Sequence, residues 1–285
     1  DEIYRGNVMI KSATQLKAKV RNVSKGDDKV AKSILRIFFM ERFLERVSIS
    51  KYKNNFILKG GLLVSALLGI NVRATMDIDT TVQALPLTKN DIVGIILDIC
   101  EIPIDDNVSF KIISIDTIMD DFDYPGIRLH MEGALDRLRQ PIKVDVSTDD
   151  AITPQAIEYN YELMFENRVI CLNTYNIETL LAEKLQTIIA RGTANTRMRD
   201  FYDIYEIVQM KNFSYDILRD AFSNTCKKRE TPFSRNTILE ELNNISSSVD
   251  MNAMWNNYKN KNFYVEDIEY EVIVQSIRNT ITKII

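Results

Sequence analysis

Thr75-Met76-Asp77-Ile78-Asp79-Thr80-Thr81-Val82 is the stretch on which the fold of this chain turns. β-Branched and apolar residues dominate it, so a strand is expected. Side chains alternate along a strand, which puts Asp77 and Asp79 on one face and Met76 and Ile78 on the other. Two carboxylates ~7 Å apart on one strand repel each other unless water or a cation lies between them. A hard divalent ion such as Mg²⁺ takes oxygen ligands of this kind and commonly shares them with nucleotide phosphates. An edge strand with a solvated polar face fits the same residues, so the neighbouring sequence has to decide.

Upstream, Phe56-Ile57-Leu58-Lys59-Gly60 reads as a strand running into Gly61 and the apolar helix GLLVSALLGI (61–70). Backbone without side chains at a helix N-terminus can approach phosphate, which makes Gly60 and Gly61 candidates, although such a pair is also an ordinary turn. Downstream, Ile142-Lys143-Val144-Asp145-Val146 alternates, with Asp145 on the polar side. A third carboxylate there would complete a two-metal arrangement. FKIISI (110–115) and IRLHMEGAL (127–135) are further strands, and KNDIVGIILDIC (89–100) a helix. Residues 8–53 read as helical, with an apolar stripe in SILRIFFMERFLERV (33–47). From 176 onward IETLLAEKLQTIIA, RMRDFYDIYEIVQM, SYDILRDAFSNTCKK, NTILEELNNIS and residues 266–285 are helical again. The expected organisation is an N-terminal helical segment (1–53), an α/β core (54–175) and a C-terminal helical domain (176–285).

Composition narrows the chemistry. Apolar residues make up 45% and charged residues 27%, ordinary usage for a soluble globular protein. No apolar run approaches the ~18 residues of a membrane span and no signal-like segment opens the chain, so a cytoplasmic location is expected. Cys100, Cys171 and Cys226 lie far apart without a CxxC, which favours reduced thiols over a disulfide framework or a zinc knot. A net charge of -4 argues against coating nucleic acid by bulk attraction, while leaving room for a local basic groove. The single histidine, His130, excludes histidine-rich metal sites and reads as a structural strand side chain. The absence of GxGxxG and GxxxxGK[ST] disfavours Rossmann and P-loop folds.

Four segments in order, KGG (59–61), RATMDID (73–79), AEKL (182–185) and RDFYDIY (199–205), resemble the AbiEii/AbiGii toxin family. These are nucleotidyltransferase-like toxins of abortive-infection and type IV toxin–antitoxin systems. The likeness runs from about Asn54 to Met210, and G-G, then Arg73 and Thr75, then D-x-D and a later strand Asp is the polymerase-β-like pattern. It implies a polymerase-β-like nucleotidyltransferase core with a mixed sheet. Asp77, Asp79 and Asp145 would bind Mg²⁺ (or Mn²⁺), with Asp145 also helping to deprotonate the acceptor. Gly60, Gly61, Thr75, Lys184 and Arg191 would hold a nucleoside triphosphate. Some members add nucleotides to the acceptor end of tRNA, opposed by a separately encoded antitoxin, which implies growth arrest or phage defence.

Helical projection weighs the remaining candidates. Ile177, Leu180, Leu181, Leu185, Ile188 and Ile189 share one face, and Lys184 falls inside it with Arg191 on the same flank. A lysine there either snorkels to solvent or finds an anion. The resemblance implies a triphosphate, and the ligand-free protein is expected to tolerate Lys184→Met. On the next helix Phe201, Ile204, Tyr205 and Val208 define the expected buried stripe. Asp200 then lies at its border, a catalytic candidate, while Asp203 and Arg199 fall opposite, spaced for a surface ion pair. Arg197, Arg199, Lys227, Lys228 and Arg229, with Arg235 beyond, read as a solvated basic face that could receive the phosphates of an RNA acceptor. Two other readings stay open: a nucleotide-binding toxin that acts without transfer, and a transferase acting on a protein or a small molecule.

Overall fold

The computed structural model describes residues 8–69, 75, 77–85, 88–118, 126–148, 150–231, 233–262, 264–265 and 267–285. Arg73, Ala74 and Met76 lie outside them. The fold is α/β, a mixed seven-stranded sheet with ten α-helices among the described residues. The chain divides into two compact units, residues 1–149 with 157–174, and residues 150–156 with 175–285.

The first unit holds the sheet. Helices α1 (Ala13–Ser24) and α2 (Asp28–Ile49) precede β1 (Phe56–Lys59), α3 (Gly60–Leu68), β2 (Ile78–Val82) and α4 (Lys89–Cys100). Then come β3 (Val108–Ile118), β4 (Gly126–Leu135), β5 (Leu138–Thr148), β6 (Ile157–Glu162) and β7 (Val169–Thr174). The strand order is β3-β4-β5-β2-β1-β7-β6. β2–β5 and β1–β7 are parallel and the other pairs antiparallel. Strand β2 is shorter than expected: Asp77 precedes it, and only Asp79 of the pair lies within it. Strand β5 is longer, extending back through Pro141. That is tolerated because β2 pairs only from Val144 onward, so the missing N–H leaves no ladder bond broken. Strands β6 and β7 were not among the expected elements: β7 carries no clean alternation, whereas Ile157-Glu158-Tyr159-Asn160-Tyr161-Glu162 on β6 does alternate and was a usable signal.

Burial alternates along β4 and β5: Ile127, Leu129, Met131, Ile142, Val144 and Val146 are buried, while Arg128, His130, Lys143 and Asp145 are half-exposed. Helix α2 covers the apolar face. A Cβ on Gly133 would stand 2.4 Å from the Phe39 ring, so glycine is what lets that helix approach β4. The stripe expected on α2 is only part of its surface, since Glu41, Arg42, Glu45 and Arg46 are buried as well. Arg46 grips both oxygens of Asp106 at 2.9 Å and the carbonyl of Val108 at 2.8 Å. Arg42 pairs with Glu45 and Glu166, and Arg168 with the same two acids. Glu41 accepts the Met164 N–H, and burial pushes its carboxyl up to about 8, which keeps it protonated at neutral pH. These pairs tie α2 to the start of β3 and to the β6–β7 turn. Buried ionic groups are tolerated when each finds partners of this quality.

The second unit is helical: α5 (Ile177–Arg191), α6 (Met198–Met210), α7 (Tyr215–Lys228), α8 (Arg235–Ser247), α9 (Val249–Lys261) and α10 (Tyr270–Thr282). Its core includes Leu185, Ile188, Phe201, Ile204, Leu218, Leu242, Trp255 and Ile277. The Trp255 indole donates to the Ile268 carbonyl at 2.9 Å, which satisfies the one polar atom of a fully buried side chain. Helix α9 was not legible, because its polar, asparagine-rich sequence carries little periodicity.

Candidate active site

The site grows from one junction. Strand β1 ends at Lys59, and Gly60 turns the chain into α3 with φ +66, a left-handed conformation that favours glycine. A Cβ on Gly60 would lie 2.0 Å from Asp79 Oδ2, so space excludes any other residue as well. The Gly61 N–H donates to that same oxygen at 3.3 Å. The positive end of α3 therefore faces the Asp79 carboxylate, a favourable arrangement for a negative charge. Ser65 on α3 shares a hydrogen bond with Thr75 at 3.1 Å, which ties the approach to β2 onto the same helix. Of the groups expected to bind nucleotide, Gly60, Gly61 and Thr75 are thus brought together around Asp79.

Sheet register assembles the charges. Asp79 is the direct neighbour of Lys59 on β1 and of Asp145 on β5; Asp145 faces Arg128 on β4, and Arg128 faces Asp116 on β3. Directly paired residues point to one face, so five strands carry one row in the order Asp116, Arg128, Asp145, Asp79, Lys59. Two acids stand side by side at its centre. Burial, the charge of Asp145 and that of Asp77 raise the Asp79 carboxyl, against Lys59 and the Gly61 N–H, to about 6. Burial and Asp145 also raise Asp77, opposed by Lys143, Arg128 and Arg36. Among the described residues Asp77 Oδ1 is buried and accepts no hydrogen bond, and the Lys143 ammonium lies 4.0 Å from it.

A buried, unbonded carboxylate oxygen beside a second enclosed carboxylate fits a hard divalent cation, for which oxygen donors are the preferred ligands. Asp145 is arranged differently. Its two oxygens accept from Arg128 Nε at 2.8 Å and Nη2 at 2.6 Å, a bidentate pair. Among the described residues no three His, Cys, Asp or Glu side chains gather as a metal-binding group. Arg128 and Lys143 carried no role in the sequence reading. A signal for Arg128 exists: a two-residue turn at Asp136-Arg137 sets the β4–β5 register, and counting back along it pairs Arg128 with Asp145. His130 lies on β4, as expected of a strand side chain, and contacts Asp116 at 2.9 Å.

The remaining candidates lie in the helical unit. Lys184 stands 2.5 Å from Asp200 and 2.8 Å from Asp203. Asp203 is fully buried, not on a surface opposite the core, which corrects the expected Arg199–Asp203 surface pair. Helix α6 packs against α5, α9 and α10, so it buries Met198, Tyr202 and Ile207 beside Phe201 and Ile204, more of its circumference than a single stripe. Arg229 is likewise not part of an open basic face. It donates to Gln186 at 2.6 Å and Thr187 at 3.1 Å and pairs with Glu183 at 3.3 Å, a brace between α7 and α5. Arg191 and Arg199 are half-buried, Lys228 is half-exposed, and Lys227 and Arg197 are exposed, the last 3.8 Å from Asp200.

A family model described as nucleotidyl transferase AbiEii toxin of type IV toxin–antitoxin systems matches residues 42–276. No curated protein matches the chain. Among solved structures, JHP933 from Helicobacter pylori is similar at 15% identity and a TM-score of 0.51, over 88% of this chain and 91% of that one. An antigenic nucleotidyltransferase-like protein from Paracoccidioides brasiliensis is similar at 16% identity and a TM-score of 0.36, over 81% and 94%. At such identity the likeness to JHP933 concerns the fold.

Two outcomes follow from this geometry. Because the folded pKa of Asp79 lies above its unfolded value, the folded protein keeps a proton that the unfolded chain releases between about pH 4 and about pH 6. Stability of the metal-free protein therefore falls as pH rises through that window. A divalent ion competes with the same proton, so the rise in melting temperature on adding Mg²⁺ should be small near about pH 5 and larger near about pH 7. A shift of equal size at both values counts against Asp79 as a ligand. For Lys184→Met, the expectation of tolerance is replaced by destabilisation of about 3 kcal/mol, because two carboxylates are left facing each other with one of them fully buried. Denaturant unfolding at neutral pH measures it, and an unchanged midpoint rules the cluster out as a structural element.

Proposed function

Because the chain belongs to the AbiEii nucleotidyl transferase toxin family of type IV toxin–antitoxin systems, we propose that it moves a nucleotide from a nucleoside triphosphate to a hydroxyl of tRNA in a Mg²⁺-dependent reaction. The observation that carries the reading is the half-buried pair of Asp77 and Asp79 beside the Gly60–Gly61 turn, two acids whose repulsion a proton relieves at low pH and a bound cation would relieve at neutral pH.

Asp77 and Asp79 would hold the ion, which when bound screens the phosphate charges and polarises the α-phosphate. Around them the chain's own groups act. Gly60 leaves no side chain between the α3 N-terminus and Asp79, so that carboxylate is fixed in place. Lys59 and Arg128 flank the acids as fixed positive charges in the same row. The acceptor oxygen attacks the α-phosphorus, the bond to the bridging oxygen breaks and pyrophosphate leaves, while the hydroxyl proton passes to a carboxylate or to water. For Asp145 we propose that role of proton acceptor, and for Lys184 and Arg191 that of triphosphate ligands, which for Lys184 means exchanging carboxylate partners for phosphate ones. Asp200 then acts by holding Lys184. The exposed Arg197 and Lys227, with Arg199 and Lys228, remain proposed contacts for acceptor phosphates.

The family implies an antitoxin encoded apart from the toxin, and growth arrest as the outcome of unopposed transfer. Defence against phage belongs to the same proposal. No described helix is long and apolar enough to cross a membrane; action on tRNA in the cytoplasm is part of the same proposal.

Incubation with labelled nucleoside triphosphates, Mg²⁺ and total cellular RNA tests the proposal. Label is expected in the tRNA band, and Asp79→Asn should reduce its rate by about a hundredfold or more while the melting curve stays cooperative. Full activity in that variant removes Asp79 from the chemistry. Nucleotide that binds but is never transferred points to a toxin acting by binding, and label in protein or small molecules points to another acceptor.

A further inference from the structure

Arg128 stands between two acids in register, Asp116 on β3 and Asp145 on β5. Its use of them is unequal. The Asp116 carboxylate is in contact with His130 at 2.9 Å, while the fork of Arg128 closes on both oxygens of Asp145. A bidentate guanidinium–carboxylate pair is strong and directional, and here both partners are anchored on neighbouring strands with their backbones in register. Asp145 in turn neighbours Asp79, whose carboxylate accepts from the α3 N-terminus and has Lys59 as its register neighbour on the other side. The row thus gives its central acids one flanking cation each, and the third acid of the expected metal set is already neutralised by an internal one.

We infer that Arg128 is the positioning residue of this site: its guanidinium holds Asp145 in the metal-free protein, and a divalent ion on Asp77 and Asp79 gains Asp145 only by displacing it. The inference rests on the proposed function for the ion itself and goes beyond it in assigning the competition. It accounts for two facts together. Asp145 is in register with Asp79, yet no three-ligand group is assembled among the described residues. The polar face also keeps a cation one strand away from Asp145, in direct contact with it, while the other nearby cation, Lys143, reaches Asp77 only at 4.0 Å. Release of Asp145 would leave the guanidinium without its anion, and incoming triphosphate is a replacement of the right charge and geometry. Metal and nucleotide then assist each other's binding, because each provides what the other's arrival removes.

The test measures Mn²⁺ binding by calorimetry in the full chain without nucleotide, so it does not depend on turnover. Arg128→Met, which keeps the stem and removes the charge, should tighten Mn²⁺ binding about tenfold or more. Arg128→Lys keeps charge without the fork and should tighten it less, and it also serves if Arg128→Met does not fold. Adding Asp145→Asn to Arg128→Met should abolish the gain. Lys143→Met removes a neighbouring cation but leaves the Arg128–Asp145 pair, and should fall short of Arg128→Met. Unchanged or weaker binding in both Arg128 variants overturns the inference, since the arginine would then orient Asp145 for the ion rather than compete with it. A gain that survives Asp145→Asn, or one that Lys143→Met equals, overturns it too, as bulk charge would explain the effect. Failure of wild type and every variant to bind Mn²⁺ overturns instead the metal reading on which the inference stands.

Discussion

Two acidic side chains, Asp79 and Asp145, lie directly opposite each other on neighbouring parallel strands, with Asp77 just before the first. Like charges paired across a sheet are destabilising, and here burial, with the charge of Asp145 added to it, raises the Asp79 carboxyl to about 6. Much of the surrounding architecture can be understood as making that arrangement tolerable. Gly60 clears room for the Asp79 carboxylate, the α3 N-terminus donates to it, and Lys59 and Arg128 stand at either end of the pair. Such a site keeps its repulsion when empty and loses it when a cation arrives, which is how a binding site differs from a structural ion pair.

The two ionic systems elsewhere show the contrast. On α2, Arg42, Arg46 and their partners Glu45, Asp106 and Glu166 pair with one another within the unit, so that network holds helix to sheet. In the helical unit a single ammonium on Lys184 serves both Asp200 and Asp203, and Arg229 braces α7 against α5. Acids in both systems have a cation in direct contact. Among the described residues Asp77 instead has the Lys143 ammonium at 4.0 Å, beyond direct contact, which sets this one acid apart.

The period-two alternation around Asp77, Asp79 and Asp145 was readable because strand geometry is local: which face a side chain takes depends only on its neighbours in sequence. The Gly60–Gly61 junction was readable for the same reason, although its closest partner is the Asp79 carboxylate. Burial on helices was harder. A projection built on one stripe placed Asp203 at the surface, whereas α6 is packed on several sides and encloses it. Lys184 was recognised as anomalous in an apolar face, but its anions come from another helix, which no spacing along α5 reveals. The α2 charges were hidden likewise, since Asp106, Glu166 and Arg168 are distant in sequence.

The divalent-ion site proposed on Asp77 and Asp79 is open to direct observation. Crystals grown with Mn²⁺ and a non-hydrolysable nucleoside triphosphate, measured for manganese anomalous scattering, test it most directly. The expected result is an anomalous peak in contact with the carboxylates of both Asp77 and Asp79 and with phosphate oxygens of the nucleotide. Bound nucleotide with no peak at those carboxylates, or with manganese held by other residues, would contradict it.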